Sequence, residues 1–159
     1  MLKNLLDVLS RLANWKIILL LLILFLLANL AVIPAIYPKF ETLDTLSSYT
    51  PEKAYQLISS YGEQGRQSYA VIECTLDLAY PFITALLFSL LALVTFKKAF
   101  PASRWVPYLS LLPFLIMLVD YLENSCVVTM LLSYPRELTG LAATSNIFTV
   151  IKFALTPWS

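Results

Sequence analysis

The sequence predicts an all-α protein, an integral membrane four-helix bundle with an interfacial amphipathic helix in its first outer loop. Three observations predict it. Of 159 residues, 59% are hydrophobic and only 13% charged, where an ordinary soluble domain is nearer half apolar and a quarter charged. Four apolar runs, at about residues 15–37, 67–96, 105–132 and 141–156, approach the roughly 20 residues that a bilayer core requires. Basic residues sort by side: Lys3, Arg11, Lys16, Lys97, Lys98 and Arg104 flank one face, against Lys39, Lys53, Arg66 and Arg136 on the other. This sorting puts both termini in the cytoplasm, in a plasma or inner membrane, and residues 1–159 form one transmembrane domain.

Composition also excludes. A formal charge of +1 gives no electrostatic footprint for a nucleic acid. The chain has no histidine, which removes Ser/His/Asp and Cys/His nucleophile systems and the commonest zinc and haem ligand. No cofactor is expected, and a soluble multidomain enzyme is excluded.

Taken in order, Leu2, Leu5, Leu6, Leu9 and Leu12 recur at helical spacing against Lys3, Asn4, Asp7, Ser10 and Arg11. That amphipathic segment should lie in the inner interface or extend the first span. The run from Ile17 to Ile36 is too long for a signal-peptide core, and no A-x-A site follows it, so it should span rather than be cleaved. The outer-loop helix, about residues 51–61, is well signed. Thr50 suits the N-cap, Pro51 the first helical position, Glu52 the positive dipole end and Gly62 the C-terminal stop. Ala54, Leu57, Ile58 and Tyr61 make its apolar stripe, so it should pack as a connection or act as a lid over the outer mouth. Of the pairs Tyr37-Pro38, Tyr80-Pro81 and Tyr134-Pro135, the first and third read as interface anchors. With three glycines and no GxxxG, helix packing must rely on Ala, Ser and Thr.

The second span carries Glu73 and Asp77, and the third Asp120, Glu123 and Asn124. A carboxylate at mid-bilayer costs roughly 2.5–3.5 kcal/mol on insertion scales, so such residues face a bundle interior and carry function. At about 100° per residue Glu73 and Asp77 lie roughly 40° apart, on one stripe with Arg66, Tyr80 and Thr84. Asp77 is about 17 Å along its helix from Arg66, and Glu123 and Asn124 about 13 Å from Leu132, so the two seams meet in the outer half. Asn29 and Asn146 fall at comparable heights. Together these residues define an acidic chamber, open outward or laterally to lipid. Pro81 lacks the N–H that would bond the carbonyl of Asp77, which frees that carbonyl at the acidic position.

Neighbouring buried acids supply an acid and a base side by side. Asp77 would take a proton while Glu123 or Asp120 gives one. Arg66, Glu73, Tyr80, Asn124, Asn29 and Asn146 would line the ligand site, with membrane lipid or a hydrophobic small molecule as the partner. The alternative for the acids is structural, including an Arg66 to Glu73 ion pair. Four acids and an asparagine could hold an oxygen-seeking ion, Mg²⁺, Mn²⁺ or Ca²⁺, but no spacing of the EF-hand type appears, and no metal is assigned. Lys152, in the last third of the fourth span, could pair with the acids or form a Schiff base, but lies close enough to the inner surface that snorkelling is expected. Cys74 and Cys126 read as buried thiols, with a disulfide geometrically conceivable.

The strings Tyr49-Thr-Pro-Glu-Lys-Ala-Tyr, Gly62-Glu-Gln-Gly-Arg66, Leu76-Asp-Leu-Ala-Tyr-Pro81 and Asp120-Tyr-Leu-Glu-Asn124 resemble small four-span membrane proteins of unassigned function. In layout alone, four spans around intramembrane acids are similar to the sterol isomerase and sigma-2 receptor group. That resemblance implies a chamber for a hydrophobic ligand. The expected function is therefore binding of a hydrophobic or amphipathic molecule, with proton transfer by Asp77 and Glu123. The competing readings are a proton- or cation-coupled transport component, working as a homo-oligomer, and an accessory protein whose acids only pack.

Overall fold

A computed structural model describes residues 2–103 and 105–155. Arg104, counted above with the inner basic residues, and Thr156, the last residue of the fourth run, lie outside the described residues. Every regular element among them is helical. In chain order these are α1 (Leu2–Leu12), α2 (Trp15–Leu27), a π-helical segment (Ala28–Val32), α3 (Ile33–Ile36), a 3-10 turn (Leu43–Thr45), α4 (Pro51–Ser60), α5 (Gly62–Ala99), α6 (Val106–Leu109), α7 (Leu112–Ser133) and α8 (Thr139–Leu155).

Three stretches are long and apolar enough to cross a membrane: Trp15–Ile36, Gly62–Ala99 and Pro107–Ser133. The shortest has 22 residues, which at 1.5 Å per residue is about 33 Å, enough for a hydrocarbon core. The fourth expected run is the shorter apolar helix α8, whose 17 residues rise roughly 25 Å.

The chain divides into two compact units. The first comprises Met1–Ala35 and Tyr80–Met117. Asn14 separates its first two helices and caps the second, its Oδ1 accepting from the Lys16 and Ile17 N–H groups at 3.1 Å each. Leu9 of α1 is buried with Ile18 and Leu21 of α2 and with Leu87, Leu90 and Leu93 of α5. The amphipathic α1 therefore contributes a side chain to a core. Most of α2 does not: Leu20, Ile23 and Leu27 are more than half exposed, an apolar surface of the kind that marks a membrane or protein-interaction face.

The second unit comprises Ile36–Ala79 and Leu118–Ser159. The Thr50 cap forms, with Oγ1 accepting from the Lys53 N–H at 3.3 Å. Gly62, at φ +65°, makes the left-handed turn that separates α4 from α5, a conformation open to glycine at no steric cost. The buried face of α4 is Ala54, Tyr55 and Ile58. Leu57 and Tyr61 only flank that core, and Tyr55, outside the expected stripe, replaces them. The reason is polar: the Tyr55 hydroxyl accepts from the Leu138 N–H just before α8. Helix α4 packs on α8, as a connection built into a core with Val127, Met130 and Ala142.

Candidate functional site

Seven of the nine residues assigned from sequence to the site fall in the second unit; Asn29 and Tyr80 fall in the first. In the second unit the acids form two groups with different chemistry.

The first group lies on α5. Glu73 and Asp77 are one turn apart, and Asp44, from the 3-10 turn, joins them. One oxygen from each of these three carboxyl groups lies within 4.8 Å of the other two. The hydroxyls of Tyr37 and Tyr69 both donate to Asp44 Oδ2, at 2.6 and 2.8 Å. Glu73 is 3% exposed, and neither of its carboxylate oxygens has a hydrogen-bond partner. No period or spacing in the sequence points to Asp44.

The second group lies on α7 and α8. Lys152 Nζ is 2.6 Å from Glu123 Oε2 and 3.2 Å from Asp120 Oδ1. Thr149, three residues before Lys152, donates to Glu123 Oε1 at 2.7 Å. The snorkelling expected of Lys152 is thus corrected: its side chain is 15% exposed and sits on two acids, because Glu123 is wholly buried and needs a counter-charge.

Pro81 leaves the Asp77 carbonyl without its helical donor, and that carbonyl accepts from Asn124 Nδ2 at 3.2 Å. The next carbonyl, of Leu78, accepts from the Tyr121 hydroxyl at 2.6 Å. Two α7 side chains at i and i+3 therefore cover the carbonyls that a proline opens, which is how a membrane helix tolerates one. Tyr121 escaped the sequence reading, although its spacing from Asn124 placed it on the same face.

Between these contacts is a groove of about 310 Å³. Glu73, Asp77 and Asn124 form its polar side, and Leu78, Tyr121 and Val128 its apolar one. Asp120 and Glu123 are not among the residues lining it.

The remaining assigned residues have other partners. Arg66 does not pair with Glu73. Its guanidinium lies 4.3 Å from the centre of the Tyr134 ring and donates to the Ile58 carbonyl at 3.5 Å, the geometry of a cation–π contact. Asn146 Oδ1 accepts from the Tyr49 N–H at 2.7 Å and from the Ser48 hydroxyl at 3.1 Å, which fastens the segment before α4. Beside it the Tyr49 hydroxyl donates to Ser145 Oγ at 2.8 Å, and burial pushes this phenol above its ordinary range. In the first unit the Tyr80 hydroxyl donates to Asn29 Oδ1 at 3.1 Å, while Asn29 Nδ2 donates to the Phe25 carbonyl at 2.7 Å. Asn29 belongs to the π-helical segment, whose widened backbone leaves carbonyls for such a side chain to take up. Cys74 and Cys126 are both free thiols, the first exposed and the second buried.

Fold and site together define a helical protein with three described stretches long and apolar enough to cross a membrane, and an acidic groove. Comparison with protein families, with curated proteins and with solved structures finds no match for this chain. What it does has to be argued from the groove itself.

Proposed function

We propose that the chain is a four-span membrane protein, with α8 as the fourth span and both termini cytoplasmic, that binds an amphipathic small molecule or lipid in the groove between α5 and α7. One observation carries the reading: a cleft of about 310 Å³ lined both by the acidic and amide groups of Glu73, Asp77 and Asn124 and by the apolar surface of Leu78, Tyr121 and Val128. Its size falls at the lower end of small-molecule sites, and a few convergent polar groups in an apolar cleft fix the orientation of a ligand. The head of the ligand would meet Glu73, Asp77 and Asn124, and its apolar body would lie along Leu78 and Val128. Proton exchange, if the ligand undergoes it, falls to Asp77 with Glu73 beside it, since these are the acids that reach the groove. Glu123 and Asp120 are held by Lys152, and this ion pairing favours a structural role for them.

The test is native mass spectrometry of the gently extracted protein. A co-purifying lipid is expected, retained by the wild type and lost both in Leu78→Trp, which fills the groove, and in Asp77→Asn. No bound molecule, or the same complement in all three proteins, refutes the reading.

A further inference from the structure

The three carboxyl groups of Asp44, Glu73 and Asp77 do more than give the groove a polar side. Three atoms no more than 4.8 Å apart share a centre at most about 2.8 Å from each. That bound leaves room for the roughly 2.3–2.6 Å of calcium–oxygen bonds, and calcium accepts the irregular, flexible shell that carboxylates and waters make, whereas magnesium demands near-ideal octahedral geometry. Hydroxyl donors satisfy Asp44 Oδ2, while among the described residues Asp44 Oδ1 and the buried Asp77 Oδ2 have no hydrogen-bond partner. The independent observation is Glu73: it is nine-tenths and more buried, yet neither of its oxygens has a hydrogen-bond donor among the described residues. A carboxylate so placed needs a cation or a proton, because desolvation without a partner is expensive. Lys152 forms its ion pairs with Asp120 and Glu123.

We propose that Asp44, Glu73 and Asp77 bind a calcium-sized divalent cation through carboxylate oxygens. The groove, which Glu73 and Asp77 line, supplies the waters that complete a shell of six to eight oxygens. The site goes beyond the function proposed above and does not rest on it. Asp44 is not among the groove-lining residues, so Asp44→Asn separates ion binding from lipid retention.

Terbium, an oxygen-seeking calcium surrogate excited through nearby tyrosines, is the probe. Tyr37 and Tyr69 donate directly to Asp44. Protein freed of ions with a chelator and returned to detergent should show tyrosine-sensitised terbium luminescence that calcium displaces and magnesium does not. Asp44→Asn and Asp77→Asn should each weaken terbium binding about tenfold or more, while Asp120→Asn should not. Helix content by circular dichroism accompanies each variant. Because Asp77 is only partly buried, Asp77→Asn remains informative should Asp44→Asn fail to fold. Absence of sensitised luminescence in the wild type, or equal affinity in Asp77→Asn, overturns the site and points to shared protons instead. A wild type that carries no lipid yet binds terbium would count against the groove reading alone.

Discussion

Replacing Lys152 by Met removes the one cation seen on Glu123 and Asp120. Glu123 is wholly buried and keeps only the Thr149 hydroxyl, and the Asp120 side chain is 17% exposed. Breaking a buried ion pair by removing one member costs roughly 3–5 kcal/mol, most of it the charge left behind. For a chain of this length each kcal/mol moves the midpoint by about 2–4 °C, so Lys152→Met should lower Tm by about 6–20 °C. The partial exposure of Asp120 argues for the lower half of that range. The decisive comparison is the triple variant Lys152→Met, Glu123→Gln, Asp120→Asn. Exchanging every charged member for a neutral one is often close to neutral, so the triple variant should recover most of the loss. Helix melting in detergent, followed by circular dichroism, measures both. A Lys152→Met protein that melts with the wild type would mean that the lysine reaches the lipid surface after all. A triple variant no more stable than the single would show that size, and not charge, was lost.

Asn124→Leu should cost about 1–3 kcal/mol by orphaning the Asp77 carbonyl, and less in a Pro81→Ala background, where the restored N–H returns as the donor; strictly additive effects would contradict this account. The Tyr49 phenol, raised by burial, favours the protonated form when folded. Its contribution is therefore complete below the unfolded value near pH 10 and is lost as pH rises through the folded one. Part of the alkaline unfolding limb, followed by phenolate absorbance, should vanish in Tyr49→Phe, and an unchanged limb would remove Tyr49 as its cause.

Helix positions were largely legible because their signals are local. Thr50, Pro51 and Gly62 act within a turn of their own helix, and hydrophobic length alone marks Trp15–Ile36. The acidic residues of α5 and α7 were legible for the same reason, since a charge in an apolar run stands out whatever it contacts. What escaped were partners set by tertiary structure. Asp44 lies in an irregular segment with no periodicity and reaches Glu73 only because Tyr37 and Tyr69 hold it. Lys152 looked close enough to a helix end to snorkel, and nothing in its own neighbourhood reveals that Glu123, 29 residues earlier in the sequence, is buried beside it. Arg66 shared a stripe with Glu73, but the face of Tyr134 captures it.

Asp120, Glu123 and Asn124 of α7 show why the acids separate into two systems. Glu123 and Asn124 are adjacent and so point about 100° apart, with Asp120 between them, about 60° from Glu123 and about 40° from Asn124. A helix with a lysine on one neighbour and an opened backbone on the other can serve both only if its residue types differ by face. A carboxylate suits the lysine of α8. An amide, which can donate, suits the proline-freed carbonyl of α5, where a carboxylate would repel. Asp120 and Glu123 are thereby engaged by Lys152 within the protein, and Asn124 brings an uncharged donor to the groove. The acids left to meet a ligand or an ion are those of α5 and its adjoining turn: Asp44, Glu73 and Asp77.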